Sequence, residues 1–326
     1  MHRFLDRYNE YRTLIDRRLA TVIDRDRPVT MYEPARYVLG GGGKRIRPVL
    51  VMLACEAVGG DVHDAVEAGV AVEILHNFTL VHDDIMDRAD TRRGRETVHR
   101  KWDENIAILV GDELMGIAYK TLLNTEKGDV RALTRVFTEG VIEVCEGQSY
   151  DKEFELLPSV TEDEYMMMIG KKTGWLVAIS AEMGGIIGGA DAMRRAALLE
   201  YARCVGRAFQ VQDDLLDVVA DKDAFGKPIG GDILEGKKTY LLVKALGRAD
   251  GEDLALLQSV ATRSAAHEGL VARVTDIYQR LGVLDTAREK IENDTEAAVR
   301  ALNALDENEG RQMLGWLAHM LLERKH

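Results

Sequence analysis

The sequence predicts an all-α protein, and three observations carry that reading. All five prolines, at 28, 34, 48, 158 and 228, sit in short punctuating segments and leave the long periodic stretches uninterrupted. Between Pro48 and Pro158 apolar residues recur at helical spacing: Val72, Leu75, Phe78 (or Thr79) and His82 form one series, and Ile106, Leu109, Val110 and Leu114 another. Alternating β-branched runs bounded by turns, the mark of strands, are missing. Ten or more helices, no sheet and no dividing linker are expected, so residues 1–326 read as a single large helical domain.

Taken in chain order, Met1 to Leu19 alternates charged and apolar residues and lacks the apolar core of a signal peptide. The run Gly40-Gly41-Gly42-Gly43 marks a loop ahead of a helix beginning near Pro48. The glycine pairs at 59–60, 184–185, 188–189 and 230–231 read as turns or tight helix contacts. Thr161 followed by Glu164 has the form of a capping box that opens a helix. The most apolar stretch, Trp175 to Ala190, is broken by Glu182 and falls short of the ~20 apolar residues that span a bilayer.

A hydrophobic share of 46% with 30% charged residues suits a chain that buries a real core. Its net charge of -12 and pI of about 5.3 argue against an extended nucleic-acid or anionic-membrane surface. A bound anion must therefore be held by a few local cations or by bridging metal. Cys55, Cys145 and Cys204 form no CxxC or Cys/His cluster and read as small buried hydrophobes in a reducing compartment, so a cytoplasmic location is expected.

The first chemically informative segment is Leu75-His76-Asn77-Phe78-Thr79-Leu80-Val81-His82-Asp83-Asp84-Ile85-Met86-Asp87. Asp83 and Asp87 are four apart, so on a helix their carboxylates share a face, an arrangement mildly destabilising without a cation. Phe209-Gln210-Val211-Gln212-Asp213-Asp214-Leu215-Leu216-Asp217 repeats the DDxxD spacing on a second apolar-patterned helix. Two such helices packed antiparallel would bring six aspartates to one cleft, a density that implies hard cations. Carboxylates without His or Cys ligands suit Mg²⁺, which keeps waters and shares its shell with substrate phosphates.

Cations stand in glycine-rich or turn contexts near these segments. They are Lys44, Arg45 and Arg47 in GGGKRIRP, Arg92 and Arg93, Lys171 and Lys172 before Thr173-Gly174, and Lys227 and Lys237 after the second acidic segment. In an acidic chain this set suggests one diphosphate held through metal and another held directly by Arg and Lys.

The chain resembles the trans-isoprenyl diphosphate synthases (polyprenyl synthetases), from about residue 30 to 320. The blocks that carry the likeness come in family order: GGGKRIRP at 40–48, LHNFTLVHDDIMD at 75–87, TRRG at 91–94, GQ at 147–148, KTG at 172–174, FQVQDDLLD at 209–217, and GKPIGGD with GKKT at 226–239. The resemblance implies a helical bundle around a central cavity, and a homodimer. It implies Mg²⁺-dependent, head-to-tail condensation of isopentenyl diphosphate with allylic diphosphates. Asp83 and Asp87 match ligands of two Mg²⁺ ions, supported by Asp84. Asp213 matches the main ligand of a third, with Asp214 and Asp217 reaching it partly through water. Lys44, Arg47, His76 and Arg93 match the metal-free isopentenyl diphosphate site. Arg92, Lys172, Lys227 and Lys237 match contacts to the allylic diphosphate, and Thr173, Gln210 and the Lys172 backbone match positions facing the carbocation.

The chemistry fits these residue types. Ionising an allylic C–O bond needs the leaving diphosphate neutralised and the carbocation met by oxygen dipoles, with no nucleophile that it would alkylate. Thr173 and Gln210 offer neutral oxygens, and no cysteine falls within the motif segments. In the family the released diphosphate takes the proton, so no side-chain base is sought. Water must be excluded, and the glycine-rich segment from Asp221 to Gly236, carrying Lys227, is the expected lid. The growing chain is expected to run from Asp83 toward the N-terminal end of its own helix. Five residues rise about 7.5 Å, which places Phe78 across that path. Aromatic Phe78 beside small Thr79 resembles archaeal-type geranylgeranyl diphosphate synthases, so a C20 product is expected, with farnesyl diphosphate released on the way. Two rivals share the fold: a class I terpene cyclase, which usually replaces the second DDxxD, and a non-catalytic subunit, which commonly loses aspartates or cations. Both acidic segments and the cations are intact here. A helical metal-buffering protein would leave the cations unexplained.

Overall fold

The structure is a computed structural model that describes residues 2–219, 230–265 and 268–322. Among these residues the chain forms sixteen α-helices. They begin with α1 (His2–Leu19), α2 (Val29–Leu39), α3 (Ile46–Ala57), α4 (Val66–Met86), α5 (Val98–Lys101) and α6 (Glu104–Leu122). Next come α7 (Val130–Phe154), α8 (Glu162–Ile169), α9 (Trp175–Ile187), α10 (Ala192–Val219) and α11 (Gly231–Glu235). The series ends with α12 (Tyr240–Leu246), α13 (Gly251–Ala261), α14 (Leu270–Arg280), α15 (Val283–Ala301) and α16 (Glu309–Leu322). The all-α expectation holds, with one exception: β1 (Thr91–Arg92) and β2 (Arg95–Glu96) pair as a minimal antiparallel hairpin. Its turn residues Arg93 and Gly94 have φ of 53° and 72°. Positive φ at both positions is what a two-residue type I′ turn requires.

The helices fall into two compact units. The first comprises Met1–Val141, Ile179–Leu199 and Ala304–Leu314, and the second Ile142–Ala178, Glu200–Asn303 and Gly315–His326. Helices α7, α9, α10 and α16 contribute residues to both.

In the first unit α4 is the central helix, because it is apolar on almost every side over its first half. Ala68, Val70, Ala71, Val72, Ile74 and Leu75 are fully buried, as a helix hydrophobic all round must be. It packs against α1, α3 and α6. Gly184 admits α9 to α3: a Cβ there would fall 2.2 Å from the Val51 carbonyl. In the second unit α12 is buried through Tyr240, Leu241, Leu242, Val243 and Ala245. It joins a core with Val211, Leu215, Tyr165 and Tyr278. The expected capping box is present at α8: Glu164 N–H donates to Thr161 Oγ1 at 3.2 Å, and Thr161 N–H donates to Glu164 Oε2 at 2.7 Å.

Three local readings differ. Pro34 lies inside α2, where its ring and missing N–H fall within a helix that continues to Leu39. Leu109, a member of the apolar series of α6, is 49% exposed, because α6 turns Val110 and Leu114 inward and leaves Ile108 and Leu109 outside. Cys145 is exposed, whereas Cys55 and Cys204 are buried and burial pushes their thiols up to about 12 and about 11.

Candidate active site

In the first unit the acidic segment forms the last turn of α4 and its C-cap. Asp83 is half-buried, Asp84 buried and Asp87 exposed as the capping residue, its N–H donating to the Asp83 carbonyl at 2.8 Å. A helix C-terminus carries partial negative charge, and the last turn of α4 holds no basic residue, so this end calls for a cation. Asp84 accepts from Arg92 Nε at 2.7 Å. Burial raises the Asp84 carboxyl, and the Arg92 guanidinium offsets part of that rise. Arg92, expected at the allylic diphosphate, is thus also the partner of Asp84.

The hairpin that carries Arg92 and Arg93 is pinned twice. Tyr37 is flanked by two cations, the Arg95 guanidinium carbon at 3.7 Å and Lys101 Nζ at 4.1 Å from its ring centroid. Its hydroxyl donates to the Glu96 carbonyl at 2.9 Å. Arg93 donates to the Gly42 carbonyl and lies against Gly43, where a Cβ would sit 3.0 Å from the guanidinium. The glycine run is therefore a docking surface for Arg93. Just beyond it, Arg45 adopts φ 55° as the N-cap of α3 and turns inward. Its Nη1 meets Glu73 at 2.6 Å and its Nε meets Asp16 at 2.9 Å, with Arg45 and Glu73 each only 3% exposed. Arg45 anchors the loop, while Lys44 stays exposed and Arg47 half-buried. Arg47 Nη1 lies 3.3 Å from His76 Nε2. A guanidinium only donates, so Nε2 accepts and the ring proton sits on Nδ1. Burial, followed by the charges of Arg47, Arg93, Arg92 and Arg45, drives His76 well below the usual imidazole range, so the ring is neutral. The structure thus joins Arg47 to His76 and sets Arg93 against the loop that leads into Lys44. Phe78 and Thr79 follow on the same helix, half-buried, with the Thr79 hydroxyl donating to the His76 carbonyl at 2.8 Å.

In the second unit the KTG block is a π-helical turn, Gly170–Gly174, between α8 and α9. Wide turns of this kind are rare and favour functional positions. Glycines on both sides make room for it. A Cβ on Gly147 of α7 would lie 2.2 Å from the Lys172 backbone nitrogen, and one on Gly206 of α10 would lie 2.8 Å from the Gly174 Cα. Lys171 is spent on Glu143 and Glu146, at 2.5 and 2.7 Å. Lys172 meets Asp151 at 2.5 Å.

From Thr173 a directed relay runs into α10. The Thr173 hydroxyl donates to Gln210 Oε1 at 2.9 Å, and Gln210 Nε2 donates to Asp214 Oδ1 at 3.2 Å. Asp214 Oδ2 accepts from the Tyr165 hydroxyl at 2.6 Å and from the Tyr240 N–H at 2.8 Å. Burial, with Asp232 adding repulsion, pushes the Asp214 carboxyl up to about 7. Asp213 is half-buried. Asp217 is buried and accepts from the Asp232 N–H at 3.1 Å. Lys237 meets Asp232 at 3.4 Å and Glu235 at 2.9 Å, contacts that hold its ammonium protonated. Lys227 and the 221–229 part of the expected lid, which was to run from Asp221 to Gly236, lie outside the described residues.

The profile of the family described as Polyprenyl synthetase matches residues 28–278. The chain belongs to the polyprenyl synthetase family. It is 40% identical to the short chain isoprenyl diphosphate synthase of Methanothermobacter thermautotrophicus, over the full length of both chains. It is similar to the crystal structure of geranylgeranyl pyrophosphate synthetase from Pyrococcus horikoshii, with TM-score 0.93, 39% identity and 99% of each chain covered. A polyprenyl synthase from Caulobacter crescentus, complexed with calcium and isoprenyl diphosphate, matches at TM-score 0.90 and 26% identity over 100% of this chain and 98% of that one. This polyprenyl synthetase is therefore a prenyltransferase that condenses prenyl chains.

The donor set fits the Mg²⁺ dependence of the family. Among the described residues no three His, Cys, Asp or Glu side chains gather as a ready-made metal cage. Mg²⁺ typically uses one or two carboxylates and fills its shell with water and substrate phosphate. Asp83 with Asp87, and Asp213 in the other unit, offer that number. Sequence reasoning gave no role to Asp16, Glu73, Tyr37, Asp151, Tyr165, Gly147, Gly206 or Asp232. Two of these carried a signal: Gly147 in the GQ block at 147–148, and Asp232 in the GGD at 230–232, since an acid after two glycines sits at a turn.

Proposed function

We propose that this polyprenyl synthetase condenses isopentenyl diphosphate with allylic diphosphates of C5 to C15, giving geranylgeranyl diphosphate (C20) with farnesyl diphosphate released on the way. The observation that carries the metal-and-diphosphate reading is common to both acidic segments. In each, the second aspartate is buried and held by the chain itself, Asp84 by Arg92 and Asp214 by Tyr165 and Tyr240, while the first is half-buried. Asp83 and Asp87 would hold two Mg²⁺ ions and Asp213 a third, with Asp217 supporting it. When bound, these ions supply Lewis-acid neutralisation of the leaving diphosphate.

The chain's own residues do the rest. Arg92, Lys172, Lys227 and Lys237 bind the allylic diphosphate, and Lys44, Arg47, neutral His76 and Arg93 bind isopentenyl diphosphate. The Thr173 hydroxyl donates its hydrogen bond to Gln210 Oε1, so its lone pairs turn outward as a negative dipole for the developing carbocation. The backbone of the π turn holds that hydroxyl in place. Phe78 and Thr79 limit chain growth. We take residues 1–326 to act as a single domain and the protein to be a cytoplasmic homodimer. Supporting the dimer, Ile108, Leu109 and Leu123 leave apolar surface outside on and just after α6. Among the described residues no helix is long and apolar enough to cross a membrane.

The test is turnover of the purified chain with isopentenyl diphosphate, an allylic diphosphate and Mg²⁺, with products sized by mass spectrometry. Phe78→Ala should lengthen the products, and full turnover after chelation of every divalent ion would refute the metal reading.

A further inference from the structure

Phe78 does not stand alone on α4. One turn on, the His82 ring meets it edge-on, with centroids 4.8 Å apart and ring planes at 63°. The Nε2 edge of the His82 ring also meets Gly111 of α6. A Cβ built on Gly111 falls 2.2 Å from His82 Nε2 and 2.5 Å from its Cδ2. The imidazole therefore rests on bare α6 backbone, at a spacing that no side chain would allow. Its Nε2 lies 3.5 Å from the Ile108 carbonyl and 3.9 Å from an Asp112 carboxylate oxygen. Both partners are acceptors, so the ring proton belongs on Nε2, and one turn of α6 holds the outer edge of the ring. The side chain of His82 is 25% exposed, so packing and not full enclosure fixes it.

We propose that Gly111 and His82 are positioning residues for product length. The seat on α6 sets how far the imidazole stands off that helix, and the imidazole sets how far the Phe78 ring can yield to a growing chain. This rests on Phe78 being the gauge, and it adds that the gauge is set by α6 as well as by α4. Directions follow from the geometry. In Gly111→Ala the methyl expels the imidazole toward Phe78 and presses the phenyl further across, which shortens products. In His82→Ala the backing is gone and Phe78 gives way, which lengthens them. In Gly111→Ala/His82→Ala the methyl meets no ring, so the profile follows His82→Ala.

The experiment compares product profiles of the full chain at matched turnover, with Mg²⁺, isopentenyl diphosphate and farnesyl or geranyl diphosphate, for these variants and Phe78→Ala. His82 adjoins Asp83, so rate losses are expected, and the readout is chain length. A displaced side-chain rotamer is expected to move the ratio of C15 to C20 in Gly111→Ala by about threefold or more. The His82→Ala and double variants should both extend beyond the wild-type length. If Gly111→Ala does not fold, the last two carry the comparison. Longer products from Phe78→Ala, with wild-type profiles from the Gly111 and His82 variants, would overturn the positioning role and leave the gauge standing. Rate loss without a change of profile would do the same. Wild-type products from Phe78→Ala would overturn the gauge, and this inference with it.

Discussion

Asp214→Asn should reverse the relay that ends at Thr173. Above pH about 7 Asp214 is ionised and its carboxylate only accepts, so with Tyr165 and the Tyr240 N–H on Oδ2 and Gln210 on Oδ1, every bond in the chain runs toward Asp214, and the comparison is made at pH 8 or above. Asparagine has one acceptor. The backbone N–H of Tyr240 cannot turn round, so the asparagine oxygen takes the place of Oδ2 and its NH₂ faces Gln210. The Gln210 amide must then flip to accept, which presents its own NH₂ to Thr173. The hydroxyl becomes an acceptor and its proton turns outward, toward the place where positive charge develops. Removing one preorganised dipole from a reacting centre costs about 10²–10³ in rate, and here the dipole is inverted as well as lost. We expect kcat/KM for the allylic diphosphate to fall about 100-fold, with KM for isopentenyl diphosphate nearly unchanged. Tyr165→Phe is the control, because it removes one donor and leaves the direction of the relay intact, so its loss should be far smaller. Steady-state kinetics on folded variants, checked by circular dichroism, reads both. Asp214→Asn turning over within about twofold of wild type would refute the argument that the dipole direction matters.

The same aspartate should govern the pH dependence of metal-free stability. Its folded value of about 7 lies above the ordinary ~3.9, so between these values the folded chain holds a proton that the unfolded chain has released. Stability therefore falls as pH rises from about 4 to about 7, by up to ~4 kcal/mol, and Asp214→Asn escapes that fall. Urea unfolding in chelator at several pH values checks it, and a wild-type-to-variant difference independent of pH would refute it. Glu73→Gln strands the buried Arg45 guanidinium on the half-exposed Asp16 and should cost about 3 kcal/mol, read as a lowered melting temperature that Arg45→Met in the same chain largely restores. Gly147→Ala drives a methyl into the Lys172 backbone nitrogen, at 2.2 Å, where nothing flexible can yield. It should destabilise the chain by about 2 kcal/mol and lower activity further than that loss explains.

How much of this was legible depends on whether a feature is written along the chain or across it. The acidic segments were legible because 3.6 residues per turn puts positions four apart on one face. The same rule turns the second aspartate of each segment roughly 100° away, and Asp84 and Asp214 are buried; Asp217, which the spacing groups with Asp213, is buried as well, with the Asp232 N–H donating to it. The turning away of Asp84 and Asp214 was present in the spacing, whereas the burial of Asp217 and the partners Arg92, eight residues on, and Tyr165, on another helix, were hidden. Arg45 and Arg47 look alike in GGGKRIRP, and what separates them is the left-handed backbone at Arg45, which aims one guanidinium at Glu73 and Asp16 while the next is held by His76. No local pattern announces that. Gly111 and Gly206 were invisible for a related reason, and Gly147 stood in the GQ block without any sign of what it admits. Each is a glycine inside a helical pattern, which propensity counts only as a weak spot, and its value lies in what approaches from a distant segment: the His82 ring, the Lys172 backbone, the Gly174 backbone. Motifs record the groups that touch substrate. The glycines record where backbone or a ring must come close enough to hold those groups still, and that distance exists only once the helices have packed.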